Sequence, residues 1–297
     1  MSAPSRPAEP DWTVLQAVLF VLSASAIFSL IFISGRFVGD LASPFQIMFL
    51  RYAGGFLTVS ILAVSQGETW KSLQSIHRPS QAMRALAGGL GGAAIIFANA
   101  NMPLVDASAI SQMNAVFTMV LGYFLFHDRL RRLPLLGALA CICGAVVVML
   151  SRGAFRSFEP SYLFPAGVVF AGAFLLAIEH IFIKYLASRD RPLLTLAHAN
   201  FFGMLVLLVP ALLTWRSTGP VNLALLCLGP FAILAQYFNI QGHRAATVSV
   251  LAPIGYAGLI FAIVWGWLFF AEVPPLGAFV GAAIIILGGT ALALSRR

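Results

Sequence analysis

The stretch PLLGALACICGAVVVMLSR at residues 134–152 returns, altered but in register, as AFVGAAIIILGGTALALSR at residues 278–296. Gly137, Ala138, Gly144, Leu150, Ser151 and Arg152 land on Gly281, Ala282, Gly288, Leu294, Ser295 and Arg296, each 144 residues later. In the same register Gly122 and Phe126 meet Gly266 and Phe270, and Asp128 meets Glu272. Nearer the start the offset is 148: Val21, Ile33, Pro44, Gly55 and Leu57 fall on Val169, Ile181, Pro192, Gly203 and Leu205, and Arg36 faces Lys184.

Outward from that match, ten apolar segments divide into two sets of five. They span residues 13–35, 44–65, 82–102, 105–126, 133–151, 162–187, 192–214, 221–241, 246–270 and 275–294. Runs of about 20 apolar residues have the length that crosses hydrocarbon. Each must be a helix, because its backbone finds no other partners there. Five is odd, so the second set enters the membrane from the opposite side. The expected fold is therefore an all-α membrane protein, ten transmembrane helices arranged as two inverted five-helix repeats. The expected organisation is a tail at 1–12, a first repeat at 13–151, a linker at 152–161 and a second repeat at 162–297. Inverted repeats pack about an axis in the membrane plane, and transporter sites lie at the repeat interface near the midplane.

Composition agrees. Of 297 residues, 60% are hydrophobic and 9% charged, against about 25% charged in soluble domains. The net charge of +8 sits in short loops, without the aromatic-interleaved stripe of a nucleic-acid binder. It reads instead as orientation. With the N-terminus inside, thirteen Lys and Arg, Arg84 among them, fall in cytoplasmic stretches and four on the other side. That asymmetry places both termini in the cytoplasm. Residues 1–12 are Pro-rich and mixed in charge, unlike a signal peptide's basic start, and the first apolar run is long enough to remain as a helix. Cys141, Cys143 and Cys227 lie within apolar runs without further ligand partners, so no metal and no cofactor are expected.

Intramembrane polar groups face a cavity or a partner. Glu179 is the one carboxylate deep within a segment. It is either a protonatable coupling group or substrate contact, or half of a structural pair with Lys184 or Arg51, or a side chain snorkelling to the interface. Arg51, within the second segment, suits a substrate carboxylate through its bidentate fork, or else a structural pair or helix-end carbonyls. Amides follow on several helices: Asn99 and Asn101, Gln112 and Asn114, His198 and Asn200, Gln236 and Asn239, with Tyr237 beside them. Gln236, Asn239 and His243 share one helical face, as do Ser111, Asn114 and Thr118. Such stripes suggest a wet central cavity, the alternative being interhelical hydrogen bonding. Pro253 and Tyr256 stand early in the ninth segment, where a proline permits a gating kink. No phosphate loop, zinc spacing, nucleophile elbow or carboxylate pair is found, so an enzyme is not expected.

At Ala252-Pro253-Ile254-Gly255-Tyr256, Gly266, Phe270-Ala271-Glu272-Val273-Pro274, Gly281-Ala282 and Ile285 the chain resembles the EamA-type branch of the drug/metabolite transporter superfamily. The run from Met102-Pro103 to Ile110-Ser111, then Asp128, and Arg36 with Pro44 and Arg51, are similar in the first half. The resemblance implies a ten-helix bundle exporting or exchanging small metabolites by alternating access. One departure stands out: Gln112-Met113-Asn114 occupies the place where members often carry a proline in the fourth helix. It puts a polar side chain where a kink is usual.

Together these readings point to a secondary transporter of a bacterial-type cytoplasmic membrane, exporting amino acids or related compounds. The expected partners are a small-molecule substrate and the lipid bilayer, with a homodimer open and no nucleic acid. A multidrug exporter would rely on aromatics such as Phe97, Phe117, Tyr237 and Tyr256. A passive channel or lipid scramblase is the remaining class, though channels need rings of charge or carbonyls.

Overall fold

The computed structural model describes residues 14–68, 74–102, 104–126, 132–151, 153, 160–217, 219–271 and 273–293. Asp128, Arg152 and Glu272, the 1–12 tail and most of the 152–161 linker lie outside them. Among the described residues every regular element is helical, and ten helical spans follow one another. These are α1 (Val14–Val38), α2 (Pro44–Ser65), α3 (Arg78–Asn101), α4 (Leu104–Ser111 then Met113–Phe126) and α5 (Arg132–Ser151) in the first half. The second half holds α6 (Leu163–Ala187), α7 (Pro192–Leu213), α8 (Gly219–Leu226 then Leu228–Ala245), α9 (Val248–Ile254 then Ala257–Phe270) and α10 (Leu276–Ala293). Eight are long and apolar enough to cross a bilayer, and the α5 and α10 helices are shorter apolar ones.

Local chemistry sets the helix starts. Ser43 caps α2, its hydroxyl accepting from the Gln46 N–H at 3.1 Å, and Pro44 occupies the first turn. A first-turn proline lacks only an N–H that would have no helical acceptor anyway. Pro192 does the same for α7, matching Pro44 at the 148-residue offset.

The packing obeys the inverted repeat. α1 packs on α8 as α6 packs on α3, α2 on α8 as α7 on α3, and α4 on α6 as α9 on α1; α2 meets α7, and α5 meets α10. Close contacts follow the same rule. A Cβ on Gly144 would stand 2.7 Å from the Gly281 oxygen, one on Gly281 2.6 Å from the Gly144 oxygen, and one on Gly288 2.7 Å from the Gly137 oxygen. The Gly144–Gly281 contact is thus matched by Gly288–Gly137 at the aligned positions, across an antiparallel crossing. In α2 and α7, Gly55 makes room for the Asn200 amide, and Gly203 for the Tyr52 ring. Tyr52 and Asn200 themselves align at the 148-residue offset. Small residues let membrane helices approach until dispersion replaces the missing hydrophobic drive.

Both broken spans divide at aligned places, Gln112 in α4 and Gly255–Tyr256 in α9. In α9 Pro253 cannot donate to the preceding turn, and the Gly255 and Tyr256 N–H groups fall back to three-residue bonds on Ala252 and Pro253 (3.0 and 3.2 Å). α4 breaks without a proline. The Ser111 hydroxyl donates to the Ser108 carbonyl at 2.9 Å, and the Ala115 N–H to the Gln112 carbonyl at 3.1 Å. Serine back-bonding of this kind bends helices.

Each face of the bundle carries a clasp between the halves. On the face bearing Val14 and Ala293, Asp190 accepts from the Ser75 hydroxyl (2.8 Å) and Gln81 Nε2 (2.8 Å) and lies 3.2 Å from His77 Nδ1. On the opposite face Gln46 Nε2 donates to the Arg216 carbonyl (2.9 Å) and Asn222 Oδ1 (2.7 Å), and the Arg216 N–H donates to Gln46 Oε1 (2.9 Å).

A Cβ on Gly54 would collide with the Leu226 carbonyl, whereas one on Gly167 meets nothing within 4 Å. Overpacking of this kind costs about 1–3 kcal/mol. Gly54→Ala is therefore expected to lower the unfolding midpoint in detergent by several degrees, and Gly167→Ala to leave it unchanged or raised, as scanning calorimetry would read.

Candidate functional site

α1, α2, α3, α4, α5, α6, α8 and α9 line a cavity of about 260 Å³, with both halves contributing to its wall. Seven of the residues singled out from the sequence meet there: Arg51, Asn99, Gln112, Asn114, Glu179, Gln236 and Asn239. The rest of the two polar stripes, Ser111 with Thr118 and His243, line it as well. The 3.6-residue helical period brings each set to one face.

Six of the sequence candidates lie outside the lining. Asn101 is exposed and donates to the Phe97 carbonyl at 2.8 Å. His198 Nδ1 sits 3.0 Å from the Leu194 carbonyl. Asn200 is buried behind the wall, donating to the Leu196 carbonyl (2.8 Å) and to Gln236 Oε1 (3.1 Å), so it holds a lining residue without reaching the cavity. The Tyr237 hydroxyl accepts from Gln241 Nε2 at 2.8 Å. Tyr256 and Pro253 are buried at the α9 break, Tyr256 within the apolar core.

Arg84, counted from the sequence among the cations of the cytoplasmic stretches, instead joins Arg51 inside the bundle. It stands in α3, about 9 Å from the helix start at 1.5 Å per residue, is 1% exposed and lines the cavity. Its Nε lies 4.0 Å from Glu179 Oε1. Lys184 Nζ donates to the His243 and Ala246 carbonyls, both at 2.7 Å, where a cation complements the end of α8. The Glu179 carboxylate rests over Gly88, where a Cβ would come within 2.5–2.7 Å of it. The Arg51 guanidinium lies over the Tyr52 ring, 3.9 Å from its centroid. His180 and His243 stack at 5.8 Å beside this group.

The wall therefore combines fixed charges of both signs with amide donors and acceptors. Phe28, Phe32, Leu176 and Leu259 supply apolar surface. Such a wall suits a small amphoteric solute with an apolar body: guanidinium for an acid group, carboxylate and amide oxygens for an amine.

The description of the EamA-like transporter family matches the chain twice, over residues 15–150 and 163–294. The pseudopaline exporter of Pseudomonas aeruginosa is 26% identical over 258 residues, 85% of this chain and 87% of that protein. A riboflavin transporter of Brucella anthropi is 25% identical over 84% of this chain and 87% of its own length. A probable terminal-alkyne amino-acid exporter of Streptantibioticus cattleyicolor is 29% identical over 69% and 71%. One solved crystal structure superposes with a TM-score of 0.76 at 20% identity, covering 93% of this chain and 94% of its own; that likeness is one of fold.

A methyl at Gly88 would push the Glu179 carboxylate out of its seat, while a Cβ at Gly89 meets Leu207 at an ordinary 3.4 Å. Gly88→Ala is expected to lower stability by roughly 1–3 kcal/mol, read as a lower unfolding midpoint in detergent. Gly89→Ala should leave that midpoint little changed.

Proposed function

Since the chain belongs to the EamA-like transporter family, we propose that it is a secondary transporter exporting amino acids or related small metabolites by alternating access about the central cavity. The membrane is a bacterial-type cytoplasmic membrane with both termini inside. The repeats run 13–151 and 162–297, joined by 152–161 after a tail at 1–12.

One observation carries the reading: Arg51, Arg84 and Glu179 share one cavity with amides from both halves. Charges in a membrane interior are costly and mark substrate or ion pathways. A zwitterion offers a partner to each sign. The names of two relatives, exporters of pseudopaline and of an amino acid, point the same way. Alternating access is supported by the aligned breaks in α4 and α9, because both of those spans line the cavity. Gln112 and Asn114 stand at the α4 break, and Pro253 with Tyr256 at the α9 break. In this reading the first pair contacts solute and the second shapes the gate. A cationic drug would meet two buried guanidinium groups, which disfavours the multidrug reading.

Radiolabel counterflow in proteoliposomes across amino acids, sugars and cationic drugs tests this directly. Exchange of amino acids or their derivatives is expected, and absence of movement in every class would remove the reading. Glu179→Gln is expected to abolish gradient-driven accumulation while sparing exchange; an unchanged pH dependence of accumulation would deny Glu179 the coupling role. Reporter fusions at each end are expected to report the cytoplasm.

A further inference from the structure

The charges lining the cavity do not balance. Arg51 is 4% exposed and Arg84 1%, and both face a single carboxylate, Glu179. Counting the His180 and His243 rings as neutral, these enclosed groups sum to +1. Arg36 adds an exposed cation to the lining where α1 ends.

The cations also keep unused donors. Arg51 Nε and Arg84 Nε and Nη1 have no hydrogen-bond partner among the described residues. The 4.0 Å separation of Arg84 and Glu179 is an ion pair too long for a hydrogen bond. The Arg51 guanidinium carbon lies 3.9 Å over the Tyr52 ring, and its unpartnered Nε–H is open to an acceptor. Asn239 Oδ1, in the same wall, lacks a donor. A guanidinium buried without full compensation is destabilising. A solute acid group removes that cost and gains paired charge-assisted hydrogen bonds.

Resting on the transport reading above, we propose that the cavity selects solutes of net charge −1 at neutral pH: amino acids with a second acid group, or amino acids whose amine is acylated. One carboxylate binds the edge of Arg51, Glu179 stays with Arg84, and the solute supplies the missing negative charge. Neutral zwitterions leave the surplus uncompensated, and cations increase it.

The test is competition counterflow at neutral pH with four probes: N-acetyl-L-leucine, L-glutamate, L-leucine and L-lysine. The two monoanions are expected to compete at least about tenfold better than L-leucine, the worth of one charge-assisted contact, and L-lysine least. Arg51→Gln, which brings the enclosed sum to zero, should shift the ratio toward L-leucine. Glu179→Gln, which raises it to +2, should shift it toward the dianion N-acetyl-L-glutamate. A general packing defect would weaken all probes alike; opposite shifts in the two variants would not arise from it. Should Arg51→Gln fail to reconstitute, Glu179→Gln and the wild-type ranking still give the sign. L-leucine competing as well as the monoanions, or both variants shifting the same way, would overturn the proposal and leave transport itself standing. No counterflow of any probe or of the wider panel by wild type would remove the transport reading and this one with it.

Discussion

Where α5 crosses α10, the carbonyl oxygens of Gly137, Gly144 and Gly281 sit where side chains would otherwise stand. Lipid offers no hydrophobic drive between helices, so backbone proximity is what adhesion can use. The same device joins α2 to α8 at Gly54 and Gly229, whereas between α2 and α7 Gly55 and Gly203 admit the Asn200 amide and the Tyr52 ring. Remove the close approach and the two halves no longer share an axis. Without that shared axis, polar faces from eight helices would not converge on one enclosed volume.

Adhesion by glycine leaves the larger side chains free for the cavity. α3 shows the division of labour. Gly91 lies against Gly172 and Leu176 of α6, while Arg84 and Asn99 of the same helix reach the cavity and Gly88 seats the Glu179 carboxylate. Charge can be kept inside the membrane here because packing is delegated to residues without side chains. Glu179 and Arg84 come from different repeats, so their ion pair exists only when the halves are together.

Much of this architecture was legible in the sequence, for a physical reason. Gly137, Gly144, Gly281 and Gly288 recur because a methyl cannot be tolerated at the crossing, and such constraints preserve an alignment long after lipid-facing residues have diverged. The stripes Ser111–Asn114–Thr118 and Gln236–Asn239–His243 were legible because three- and seven-residue spacing defines a face. Asn101, His198 and Asn200 were misleading for a common reason. Each bonds a carbonyl four residues back in its own helix, and a side chain satisfied locally has the same spelling as one that faces a solute. Arg84 was hidden by its place at the very start of the 82–102 segment, where a cation reads as orientation, with its partner far away in the chain. The α4 break was hidden because no proline stands at Gln112 to mark it.

The two clasps carry a last consequence. Scaffold positions in the halves correspond, yet one face is held by a buried carboxylate gathering Ser75, Gln81 and His77, and the other by an amide gripping the Arg216 backbone beside an exposed Arg216–Asp40 ion pair. An ionised acceptor binds its donors more strongly than a neutral one; the buried Asp190 is little screened by salt, whereas the exposed Arg216–Asp40 pair is screened. Duplication therefore repeated the scaffold of the bundle but not the chemistry that ties its halves together, which differs from one rim to the other.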